Sequence, residues 1–161
     1  MKRLEVDDPV VLRYLGTQRL NEGDYKGAFG YWTRAAELGD IDAHYQLSVM
    51  YQCGHGVARD KEKEVHHLEK AAIAGYPAAI YNLGIIEIEK SSQYDRAVKY
   101  FTIAANLGHN DSLAAIKKCY QNGKVSKDDF AAALRAHKAA VDATKSPQRE
   151  AAEAALRLRR R

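Results

Sequence analysis

The chain has 161 residues, 46% hydrophobic and 29% charged, which suits one domain with a packed core and excludes a disordered polymer. The net charge of +4 is localised: the last five residues hold four arginines, and the other basic residues match the 21 acidic ones in number. A neutral body excludes a broad phosphate-binding face, so no nucleic-acid partner is expected. The arginine run reads as a solvated helix end, with contact to an acidic partner or a membrane surface as the alternative.

No apolar run approaches the ~20 residues of a membrane span, and residues 1–8 contain no apolar signal segment. Two cysteines, Cys53 and Cys119, cannot build a disulfide framework, and a cytoplasmic or other reducing compartment is expected.

A short motif recurs in register. Ala35-Ala36 is followed by Gly39, Ala71-Ala72 by Gly75, and Ala104-Ala105 by Gly108; a weaker copy is Ala139-Ala140 followed by Ala143. The closing residues lie 36, 33 and 35 positions apart, a period that predicts one helix pair per repeat. Scarce proline and abundant alanine agree with an all-α fold.

In chain order, Asp8-Pro9 predicts a cap and first turn for a helix running to about Asn21. Asp24 caps a second helix that closes at Gly39, a C′ position. The second unit predicts helices from Asp42 to Cys53 and from Asp60 to Ala74. The third predicts Pro77 to Lys90 and Gln93 to Leu107. The fourth predicts Asp111 to Asn122 and Ser126 to Thr144, with Ser126–Asp129 as a capping box bearing Asp in place of Glu. Ser146-Pro147 predicts a ninth helix whose alanines cover the end of the last repeat. The domain is therefore expected over residues 8–161, with units at 8–40, 41–75, 76–108 and 109–145 and a capping helix at 146–160.

Helices approach closely only across small side chains. The Ala-Ala pairs supply them on each second helix, and Gly16, Ser48 and Gly84 on the first; Lys117 breaks the series and predicts looser packing in the fourth unit. Leu15, Leu47, Leu83 and Ile116 are expected to fill the space between hairpins. A large residue recurs on the second helix at Tyr31 and Tyr100, with His67 and Arg135 in its place elsewhere.

No catalytic constellation emerges. The six histidines are scattered, and the glycines of Gly54-His55-Gly56 follow no strand, so they are not a phosphate loop. His66 and His67 point about 100° apart on a helix and do not make a metal pair. No metal, no cofactor and no enzymatic activity are expected.

Tyr45-Gln46-Leu47-Ser48-Val49-Met50-Tyr51-Gln52-Cys53-Gly54-His55-Gly56-Val57-Ala58-Arg59-Asp60, followed by Lys70-Ala71-Ala72-Ile73-Ala74-Gly75, resembles a Sel1-like repeat. Gly54-x-Gly56-Val57 is its most specific piece. The third unit, with Tyr81-Asn82-Leu83-Gly84 and Asp95-Arg96-Ala97, is similar with a shortened turn, close in length to the related tetratricopeptide repeat. The resemblance covers about residues 9–145. It implies a right-handed superhelical solenoid of about four antiparallel hairpins plus the capping helix, and an adaptor or scaffold that binds proteins. The regular cysteine spacing of some secreted, enzyme-linked members is absent here.

The resemblance also implies that first helices line a concave groove. The positions facing it are Arg13, Thr17 and Leu20; Tyr45, Val49 and Gln52; Tyr81, Ile85 and Ile88; and Ala114, Lys118 and Gln121. Aromatic and aliphatic anchors between Arg13 and Lys118 suit a peptide or helix of a partner protein. Packing of these side chains between neighbouring first helices is the structural alternative. Self-assembly into a homo-oligomer is the functional one.

Overall fold

Short polar side chains set where the helices begin. In the computed structural model, which describes residues 7–158, Asp8 accepts the Val10 and Val11 amides at 2.8 and 3.3 Å ahead of α1 (Pro9–Asn21). Asp24 accepts the Gly27 amide ahead of α2 (Tyr25–Glu37), and Asp60 the Lys63 amide ahead of α4 (Lys61–Ile73). The third helix, α3 (Ile41–Cys53), is capped by Asp40, which accepts the Ala43 amide at 2.7 Å, so Asp42 lies in its first turn. There follow α5 (Pro77–Ser91), α6 (Tyr94–Asn106), α7 (Asn110–Gln121) and α8 (Lys127–Leu158). Ser126 accepts the Asp129 amide and donates to its carboxylate at 2.8 Å, the expected capping box. Among the described residues there are eight helices and no strand.

Two units divide the chain, Met1–Leu83 and Gly84–Arg161. In the first, α1 pairs with α2, α2 with α3, and α3 with α4. Its core is Leu12, Ala28, Trp32, Ala35, Ala36, Ala43, Leu47 and Met50, with Leu68 and Ala71 also buried. In the second unit α6 packs on α7 and α8, and α7 on α8, around Ala97, Phe101, Ala104, Ala105 and Ile116.

In the first three repeats the leading alanine of each Ala-Ala pair and the small first-helix positions behave as the spacing predicts, whereas in the fourth Ala139 is exposed and Ala140 half-buried. Ala35, Ala71 and Ala104 are fully buried. A methyl group on Gly16 would lie 2.5 Å from the Trp32 ring, and one on Gly84 would lie 2.6 Å from Phe101. The equivalent positions in the second repeat are Ser48 and Leu68, both buried. Large residues thus sit opposite the small ones, one position later than the sequence series of Tyr31, His67, Tyr100 and Arg135 suggests. That single step turns a side chain by about 100°, from a half-exposed setting into the hairpin. Trp32 adds a hydrogen bond from Nε1 to the Arg13 carbonyl at 3.2 Å. Leu47, Leu83 and Ile116 are buried as expected; in the first repeat Leu12 is buried and Leu15 only half-buried. The fourth repeat departs: Lys117 is exposed, and Ala136 stands where Trp32, Leu68 and Phe101 stand elsewhere.

The expected ninth helix is not a separate element. α8 runs through Pro147 to Leu158, and every described side chain from Pro147 to Arg157 is exposed, so these turns do not cover the last repeat. Proline removes one amide, but on an exposed helix water takes over the carbonyl left without its donor, and the helix continues. The arginines at 159–161 lie outside the described residues.

Two substitutions separate close packing from helix propensity. Gly16→Ala should lower stability by about 1–3 kcal/mol, because the methyl group meets the Trp32 ring. Gly30→Ala, on the exposed face of α2 with nothing within 4 Å, should raise it by about 0.5–1 kcal/mol. Urea unfolding of both variants checks the opposite signs.

Candidate functional site

The first helices of the repeats carry the expected binding residues. α1 bears Arg13 and Thr17; α3 bears Tyr45, Val49 and Gln52; Tyr81 lies on α5 within the first unit. Ile85 and Ile88 on α5, and Lys118 and Gln121 on α7, belong to the second unit. None of these ten is buried; of the other two expected positions, Leu20 packs half-buried against the core of the first unit and Ala114 is exposed. Arg13, Tyr45, Val49, Tyr81, Ile85 and Ile88 are half-buried, and Thr17, Gln52, Lys118 and Gln121 are exposed.

Within the first unit several of these side chains already have partners. Arg13 forms an ion pair with Asp42 and lies 3.6 Å from the Asp40 carboxylate. It is a fixed charge that bridges α1 to the start of α3. The Thr17 hydroxyl donates to the Arg13 carbonyl, one turn back on its own helix. Tyr45 stacks on Tyr76, ring centroids 4.8 Å apart. Burial raises the Tyr76 pKa above the ordinary phenol value, and Tyr45 adds to the shift while Arg13 opposes it. The result is a pair of aromatic rings held beside a paired arginine on the first-helix side of unit 1. Sequence reading named Arg13 and Tyr45 but missed Tyr76. The available signal was its place between the closing Gly75 and Pro77, where the chain turns back toward the next first helix.

The turn Gly54-His55-Gly56 has a structural role. Gly56 has φ +70°, and a Cβ there would lie 2.6 Å from the Tyr25 carbonyl oxygen. Only glycine fits both demands. His55 packs its ring 4.8 Å from that of Tyr25, so the turn is folded against the start of α2.

A second constellation went unread in the sequence. His44 on α3 and His67 on α4 bring their Nδ1 atoms to 2.9 Å. One Nδ1 donates and the other accepts, so the two rings cannot both be protonated, and burial favours the neutral form of each. Tyr51 stacks on His67 with centroids 5.7 Å apart, and Lys63 lies over the Tyr51 ring. Burial, then His44 and His66, push the His67 pKa down to about 4. Burial also lowers that of His44, with His66 and Lys70 adding and Asp40 opposing. A 23-residue separation across two helices hides such a pair from any local pattern. Among the described residues, no three His, Cys, Asp or Glu side chains converge as a metal-ion site.

The histidine pair sets a pH dependence. Both folded-state pKa values lie below the ordinary 6.5, so the unfolded chain binds protons more readily. Stability contributed by the neutral pair is present above pH 6.5 and falls as pH drops toward about 4. After allowance for partial solvent exposure the loss is about 1–2 kcal/mol. Urea unfolding at stepped pH should show it in the wild type and a much flatter profile in His67→Gln.

The Sel1 repeat pattern matches residues 14–40, 41–76, 77–109 and 112–135. A solved Sel1 repeat protein from Oxalobacter formigenes superposes with a TM-score of 0.72 at 26% identity, over 88% of this chain and 61% of that one. A protective antigen of uropathogenic Escherichia coli strains, displaying an SLR fold, superposes with a TM-score of 0.72 at 29% identity, over 88% of this chain and 32% of that one. The mouse protein DAP3-binding cell death enhancer 1 is 25% identical over 88% of this chain, which spans only 35% of that relative's length. Sel1 repeats are helical-repeat modules that typically mediate protein–protein interaction, and the repeat is a non-catalytic fold. With its four matched segments covering most of its length, the chain belongs to the Sel1 repeat family.

Proposed function

We propose that this chain is an adaptor module that binds a peptide or helix of a partner protein through its first helices. The observation that carries this reading is partial burial. Tyr45 and Val49 on α3 and Tyr81 on α5 are apolar or aromatic, yet none is sealed in the core of the first unit. Rigid aromatic side chains left accessible at low entropy cost are the usual anchors of protein recognition. Stacking on Tyr76 holds Tyr45 in place before a partner arrives, which reduces the ordering cost of binding.

Arg13 enters this reading differently from a free rim charge. Its ion pair with Asp42 neutralises it, so its part is to support Tyr45 and Tyr76 rather than to attract an acidic ligand. In the second unit, half-buried Ile85 and Ile88 and exposed Lys118 and Gln121 are further contact candidates on first helices. A mouse relative named for binding another protein supports the class of function, without naming the partner here. Catalysis has no part in this reading.

Capture from native lysate with the double variant Tyr45→Ala, Val49→Ala tests the reading. Truncating two such anchors should weaken capture of the bound partner by about tenfold or more. Helical content should be unchanged and the melting temperature lowered only slightly, since neither residue is in the buried core. Undiminished capture, or a loss explained wholly by unfolding, would refute it.

A further inference from the structure

We propose that the exposed last turns of α8 from a second copy of this chain dock, antiparallel, in a cleft between α6 and α8 of the second unit. The cleft has a volume of about 760 Å³. Buried Val98, Val125 and Ala133 line it with exposed Ile103, while exposed Asp95, Asp129 and Lys99 contribute its charges. It is an apolar slot with an excess of acid.

α8 itself supplies a matching shape. Ala133, His137 and Ala140 turn a covered or half-covered stripe toward the unit. At helical spacing the same stripe continues through Pro147, Ala151, Ala154 and Ala155, all exposed. The charged residues Arg149, Glu150 and Arg157 fall on the remaining arc. The apolar stripe thus outruns its own cover, and its alanines make a slim helix that can approach a neighbour closely.

The tail cannot enter its own cleft. Ala136 and Ala151 are fifteen positions apart on one continuous helix, roughly 22 Å along its axis. A second copy has no such constraint, and a two-fold pair covers both tails at once.

Charge fixes the direction. α8 begins with Asp128 and Asp129 and ends with Arg157, followed in sequence by Arg159, Arg160 and Arg161. Antiparallel pairing sets each acidic start, with Asp95 nearby on the cleft, against a basic end. Parallel pairing would set like against like.

Sedimentation equilibrium of the full chain, from low to high micromolar concentration, tests the proposal. The wild type should form a concentration-dependent dimer that weakens as salt is raised. Ala151→Glu with Ala155→Glu places carboxylates on the tail stripe, and Ala132→Glu places one on the exposed lip of the cleft. Each variant should keep its helical content and raise the dimer dissociation constant at least about a hundredfold, because a carboxylate would be buried without a partner. A wild type that stays monomeric overturns the proposal. So does a dimer that survives either variant, since the tail would then cover some other surface or none.

Discussion

The structure depends on one steric condition: two helices of a hairpin can close only where one of them has almost no side chain. Gly16 faces Trp32 and Gly84 faces Phe101 at distances that leave no room for a methyl group. Buried Ala35, Ala71 and Ala104 give the same closeness from the second helix. Where the first helix carries the slightly larger Ser48, the large residue shrinks to Leu68. Volume is conserved across the pair, as a close-packed interior requires. Where the condition fails, at Lys117 and Ala136, the regular pairing ends and α8 runs on beyond its cover.

This packing places the groups with chemical character. Closing α3 against α4 brings His44 onto His67. The seating of α3 beside α1 lets Arg13 reach Asp40 and Asp42. The close interior is filled by alanine, leucine, a few aromatics and Ile80 and Ile116, while Tyr45, Tyr81, Ile85 and Ile88 of the first helices are left at half-exposed positions.

Much of the fold was legible because its determinants are local. Asp8, Asp24, Asp60 and Ser126 cap helices as their positions imply, since a cap needs only an amide two or three residues away. The repeat of Ala-Ala and glycine placed the closing turns after α2, α4 and α6, where Gly39, Gly75 and Gly108 take positive φ, but not the fourth, where α8 runs on. Gly39, for instance, takes φ +89°. What escaped was non-local or a matter of one residue. The large partner of Gly16 is Trp32 and not Tyr31, a 100° rotation that periodicity alone does not resolve. Pro147 reads as a helix start, yet an exposed helix tolerates it. His44 and Tyr76 have meaning only through residues brought to them by folding. Among the expected binding residues, the sequence could not show that Arg13 is already neutralised by Asp42.

A double-mutant cycle on the second unit tests the central condition most directly. Gly84→Ser and Phe101→Leu are made singly and together, copying the Ser48 and Leu68 combination, and unfolding free energies are measured in urea. Complementary volume predicts that each single change destabilises and that the pair recovers about 1–2 kcal/mol relative to their sum. Strictly additive losses would contradict the account, because they would mean that the two positions do not share the space between their helices.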